Sequence, residues 1–153
     1  MNTPPQIPNQ IAVKAVFFNH EIPGKVLIVK QSEPRVSWQA IGGRLEPGEK
    51  LHDGLAREII EETDLTLEQF VIGDMVNADE WFGKPEGKLV HIVAIFFAVE
   101  ALVKHISLPI NPDLGRPEHT EYGWFTPDEM KELGAEPEIV AAAQKALALT
   151  EIK

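Results

Sequence analysis

The chain has 153 residues, 44% of them hydrophobic and 25% charged, the proportions of a globular domain with one core. Its net charge of −10 excludes unassisted binding to a nucleic-acid polymer, whose phosphates reward clustered Lys and Arg, so a phosphate compound as partner needs a metal between. With no cysteine, disulfide frameworks, thiolate metal sites and cysteine nucleophiles are excluded as well, which suits a cytoplasmic location.

Residues 1–10 are polar, contain proline and lack the order of a signal peptide, so a loose tail is expected ahead of a single domain over residues 11–153. Residues 11–18 and 25–30 are β-rich and joined by residues 19–24, whose Asn, His, Pro and Gly content reads as a turn, which predicts two strands. Residues 32–48 hold prolines and glycines and predict a loop with at most a short strand around residues 38–41. Leu51, Leu55, Ile59 and Ala56, Ile60 recur at helical spacing, which predicts an amphipathic helix over residues 51–63.

Residues 67–76 and 89–103 predict two further strands, separated by a polar loop over residues 77–88 that carries Trp81 and Phe82. A short strand over residues 121–125, a short helix over 126–133 opening with Thr-Pro, and a C-terminal helix over 137–149 complete the chain. The longest apolar run, residues 92–99, falls far short of the roughly 20 residues a membrane helix needs, so no membrane partner is expected. Strands alternating with helices at both ends favour an α/β fold, a mixed sheet covered by helices.

Chemistry is concentrated around the first predicted helix. At 100° per residue, Glu61 lies about 60° to one side of Glu58 and Glu62 about 40° to the other, so three carboxylates share one face. Like charges at this spacing repel by roughly 0.2–0.5 kcal/mol per pair. Arg57 can pair with Glu61, but one positive charge cannot balance Glu49, Glu58, Glu61 and Glu62. A hard divalent cation can, and magnesium commonly bridges carboxylates to substrate phosphates. The preceding Gly42-Gly43 and Gly48 allow backbone amides to approach a phosphate closely.

This segment resembles the Nudix box, G-x5-E-x7-R-E-U-x-E-E-x-G-U with U bulky and aliphatic, through Gly43, Glu49, Arg57, Glu58, Ile59, Glu61, Glu62 and Leu65. A chance match of the six specific residue types somewhere in the chain is on the order of one in 10⁵. Asp64 stands where the family has glycine. A left-handed backbone is expected there, and Asp tolerates it better than most residues. The resemblance implies an α/β/α sandwich and hydrolysis of a nucleoside diphosphate linked to another group. It implies Mg²⁺, with Mn²⁺ as substitute, held by Glu58, Glu61 and Glu62 beside Gly43. Glu49, Ile59, Asp64 and Leu65 are then structural, with Glu49 also within reach of the metal through water.

Arg57 is expected to position the carboxylates, and Glu61, Glu118 and Glu121 are the candidates for the group that takes a proton from the attacking water. Arg44 is a candidate phosphate contact. Trp38, Trp81, Phe82 and Tyr122 have flat faces suited to a base, although core packing explains such residues more often. The five histidines show no metal-ligand spacing and read as structural or surface residues. Gly54, inside the helix, reads as a close-packing residue against the sheet. A Walker-type loop fails because Glu49 follows Gly48 where Lys is needed, and no G-x-S-x-G elbow supports a serine hydrolase. A nucleotide-sensing domain without catalysis is the alternative, and a homodimer is left open.

Overall fold

The computed structural model describes residues 6–151. Its strands are β1 (Asn9–Phe18), β2 (Val26–Gln31), β3 (Ser37–Gln39), β4 (Ile41–Arg44), β5 (Phe70–Gly83), β6 (Val90–Ala101), β7 (Ile110–Asn111), β8 (Arg116–Pro117) and β9 (Glu121–Phe125). The helices are α1 (Leu51–Thr63), α2 (Pro127–Glu132) and α3 (Pro137–Glu151). The main sheet runs β3-β2-β1-β6-β5, with β4 paired to β1 and β9 to β2. β1 and β6 are parallel and the other pairs antiparallel, so the sheet is mixed.

The two-residue period of β1 divides the core. Val13, Ala15 and Phe17 join Leu27, Val29, Phe97 and Val99 on one face, where Leu55 and Ile59 of α1 pack. Val16 faces the other way with Val26, Ile28 and Phe96, covered by Met130 of α2 and by Ala142, Ala143 and Ala146 of α3. The result is the expected α/β/α sandwich. Small residues on α3 let that helix lie close to the sheet, while each fully buried Leu or Ile of α1 contributes roughly 1.5–3 kcal/mol. No helix among the described residues is long and apolar enough to cross a membrane.

Several elements differ from the sequence expectation. β1 already begins at Asn9, which pairs with His91, inside the segment expected to be a loose tail; residues 1–5 of that segment lie outside the described residues. The expected loop over 77–88 is mostly strand. β5 continues through Trp81 and Phe82 to Gly83, paired with β6, and only 84–89 turns. Its polar composition misled because β5 lies at the sheet edge, and an edge strand keeps one side in water. Register shifts after Ile72 and Met75 further obscure the alternation. The loop over 32–48 holds two short strands, β3 and β4.

Asp64 ends α1 with φ 58° and ψ 19°, and its backbone N–H donates to the Ile60 carbonyl at 3.0 Å. The left-handed geometry expected at the mismatch is therefore present. Gly54 is a close-packing residue, but its neighbours are the preceding loop rather than the sheet: an added Cβ would lie 2.4 Å from Leu45 Cδ1 and 2.8 Å from Glu49 Oε1. Replacing Asp64 by Gly relieves left-handed strain, partly offset by a freer unfolded chain. Asp64→Gly is expected to stabilise the protein by under about 1 kcal/mol in urea unfolding, and an equal or larger loss would show that the side chain itself anchors the turn.

Candidate functional site

The site forms where the β4 loop crosses the C-terminal half of α1. Leu55, Ile59 and Glu62 follow one another at spacings of four and three, so the stripe that buries Leu55 and Ile59 carries Glu62 inward too. The three carboxylates expected to share one face are thus graded in burial: Glu62 retains 7% of its side-chain exposure, Glu58 15% and Glu61 57%. Glu62 Oε2 accepts from the Gly42 backbone N–H at 2.8 Å. A Cβ on Gly43 would lie 2.7 Å from the Glu58 carboxyl atoms, so only glycine lets this backbone cover that carboxylate.

Arg57 ties the assembly together. Its Nε and Nη2 donate to the two Glu49 oxygens at 2.9 and 3.0 Å, its Nη1 to Glu58 at 3.0 Å and to Glu61 at 3.4 Å, and its Nη2 to the Arg44 carbonyl at 3.2 Å. The hydrogen bonds from Arg57 hold the Glu49 carboxyl down at about 2 and raise the guanidinium further above its ordinary value. Glu58 goes the other way. Burial pushes its carboxyl up, and Arg57 offsets this only in part. Burial also pushes Glu62 well up, reinforced by the neighbouring Glu118, with Lys14 opposing.

The residues before β9 close the site. Glu62, Glu118 and His119 each offer an atom within 4.8 Å of the others. His119 is 3% exposed, and burial lowers its imidazole to about 4, so it is neutral. His119, read from the sequence as a structural or surface residue, thus lies beside the acidic cleft. Glu121 lies elsewhere, on exposed β9, paired with Lys30 at 3.0 Å. A cleft of about 880 Å³ is lined by Gly42, Gly43, Arg44, Glu58, Glu61, Glu62, Glu118 and His119.

A second cavity of about 430 Å³ lies on the α3 side of the sheet, lined by Lys14, Arg35, Gln39, Trp81 and Glu138 among others. The two adjoin: Gln39 lines the second and contacts His119 at 3.3 Å, while the charge of Lys14 acts on Glu62 and His119. Trp81 is half-buried and packs against the α3-side core. Phe82 is 60% exposed and stacks on His91, and Trp38 is buried against Phe125, and neither lines either of these two cavities. Tyr122 packs against the α1-side core and contacts His105. Lys14, Gln39 and His119 escaped the sequence reading. Lys14 alone left a signal, as the one charged residue within an apolar strand.

The donor set fits a divalent cation. Glu58 and Glu62 are oxygen donors whose carboxyls are pushed up by burial and by neighbouring acids, and the Arg57 guanidinium beside them is already engaged by Glu49. Magnesium or manganese at this place would relieve both penalties. Gly43→Ala is expected to displace the Glu58 carboxylate and reduce activity by about 10- to 100-fold while the protein stays folded, since a misplacement of about 1 Å has that scale of effect. Unchanged activity in a folded Gly43→Ala protein would remove Glu58 from the site.

A family model described as NUDIX domain matches residues 8–148. Searching curated sequences gives no match. Among solved structures the chain is similar to a MutT protein from Methanosarcina mazei Go1, with 26% identity, a TM-score of 0.68 and coverage of 97% of this chain and 99% of that one. It is also similar to an Ap4A hydrolase from C. elegans, with 19% identity, a TM-score of 0.74 and coverage of 94% and 99%. A third is the dihydroneopterin triphosphate pyrophosphohydrolase of E. coli, with 17% identity, a TM-score of 0.71 and the same coverages.

Proposed function

Because this chain belongs to the NUDIX domain family, we propose that it is a divalent-metal-dependent hydrolase that cleaves the diphosphate bond of a nucleoside diphosphate linked to another group. The observation that carries this is the buried pair Glu58 and Glu62 beneath the Gly42-Gly43 backbone, a carboxylate arrangement whose cost a bound cation would relieve. Glu58, Glu61 and Glu62 would hold Mg²⁺, with Mn²⁺ as substitute. When bound, the ion supplies neutralisation of phosphate charge and a lower pKa for water.

The chain's own residues supply the rest. Arg57 fixes Glu49 and Glu58 in place and leaves Glu61 loosely held at 3.4 Å. Glu61, open to the cleft, is the group we assign to take the proton as a water oxygen bonds to phosphorus and the bridging P–O bond breaks. Arg44 lines the same cleft and is assigned to a substrate phosphate. The nucleoside is assigned to the adjoining cavity, with Trp81 as its stacking face. The neighbours named as an Ap4A hydrolase and a dihydroneopterin triphosphate pyrophosphohydrolase share the fold and leave the second substituent of the substrate open.

Two experiments follow. With a panel of nucleoside diphosphate derivatives and Mg²⁺, Glu62→Gln is expected to lower kcat at least about a hundredfold, and chelation to abolish turnover; full activity in a chelator refutes the reading. Trp81→Ala is expected to raise KM with kcat within about threefold and to lower Tm somewhat, because the ring also packs on the core. Phe82→Ala, whose ring lies outside the cavity, is expected to leave KM unchanged. The opposite pattern would exchange the roles of these two rings.

A further inference from the structure

His119 is buried, and no hydrogen bond of its own explains its Nδ1. Its Nε2 lies 3.3 Å from Gln39 Oε1, and Gln39 in turn is oriented by donating from Nε2 to Gln31 Oε1 at 3.4 Å. A carbonyl oxygen can only accept, so His119 Nε2 carries the proton. The neutral ring then has its lone pair on Nδ1. That lone pair faces Glu62 Oε1 at 3.7 Å, too far for a hydrogen bond, and Glu62 Oε2 is already taken by Gly42. Glu62 Oε1 and His119 Nδ1 therefore face each other at 3.7 Å beside the cleft, a spacing beyond a hydrogen bond.

Lys14 approaches from β1 on the other side. It is opposite Gly42 on β1 and its charge is felt at both groups, yet among the described residues no ion pair joins it to Glu62. Glu118, half-buried, brings a third donor residue: one ligand atom each of Glu62, Glu118 and His119 lies within 4.8 Å of the other two. Two atoms that share one ion at about 2.1 Å each lie between about 3 and 4.2 Å apart. The separation of Glu62 and His119 is within that span, and Glu118 can close by side-chain rotation.

We infer that His119 Nδ1 is a metal ligand, and that Glu62, Glu118 and His119 form a mixed nitrogen–oxygen site selecting Mn²⁺, Co²⁺ or Zn²⁺ over Mg²⁺. This rests on the proposed metal dependence and adds the identity of a ligand and the preference it creates. One imidazole favours ions later in the first transition series, whereas magnesium is served by oxygen alone. Gln39 acts through the imidazole as a positioning residue, since it fixes which nitrogen is free.

The test is pulsed EPR on the full chain loaded with Mn²⁺, together with Mn²⁺ and Mg²⁺ affinities by calorimetry. The Mn²⁺ signal is expected to carry hyperfine coupling to an imidazole nitrogen. In His119→Gln, checked for folding by its Tm, the coupling is expected to vanish. The Mn²⁺ Kd is expected to rise at least about tenfold, with a smaller change for Mg²⁺. Bound Mn²⁺ without nitrogen coupling in the natural chain overturns the inference and leaves the metal-dependent hydrolase intact. Coupling that persists in His119→Gln also overturns it, since another nitrogen would be the ligand. If neither ion binds, the inference and the proposed function fail together.

Discussion

Arg57 donates from three nitrogens to Glu49, Glu58, Glu61 and the Arg44 carbonyl, and so fastens the glycine-containing loop to the helix that follows it. Bidentate pairing with Glu49 fixes the plane of the guanidinium, and that plane aims Nη1 at Glu58. The loop is then pressed against α1 closely enough that Gly43 has no room for a side chain and Gly54 none on the other side. Lysine at 57 could match the charge but not the fork. The placement of Glu49 and Glu58 rests on this one planar cation.

The same packing leaves an electrostatic debt that Arg57 cannot settle. Its hydrogen bonds are concentrated on Glu49, which sits at about 2, while Glu58 and Glu62 are pushed up by burial. An ion pair fully matched within the protein would have lowered all of them. The imbalance is directional: the protein satisfies the acid on the loop and leaves the acids facing the cleft in need of a partner. This is the pattern expected where a carboxylate set waits for a cation rather than for another side chain.

Much of this was legible in the sequence because short-range spacing encodes it. The bounds of α1, the left-handed turn at Asp64 and the coincidence of Arg57 with Glu58 and Glu61 all follow from helical periodicity and the box pattern. What periodicity could not reveal was depth. Glu62 reads like Glu61 until the core stripe of Leu55 and Ile59 is seen to run through it. The long edge strand β5 was hidden because its solvent side is polar and its register shifts twice. His119 was invisible for a different reason: it meets Glu62 and Gln39 only through contacts between residues 57 and 80 positions apart, which no local spacing records.

The central claim is that the cleft binds a divalent cation through carboxyls that burial pushes up from their ordinary range. Titrating Mg²⁺ into the metal-free protein in a pH-stat, at a series of falling pH values, tests it directly, because ligands must ionise to bind. The account predicts proton release that saturates with the metal and is lost when Glu58 and Glu62 are both replaced by Gln. Saturable binding with no release of protons, or release that survives the double replacement, would contradict it.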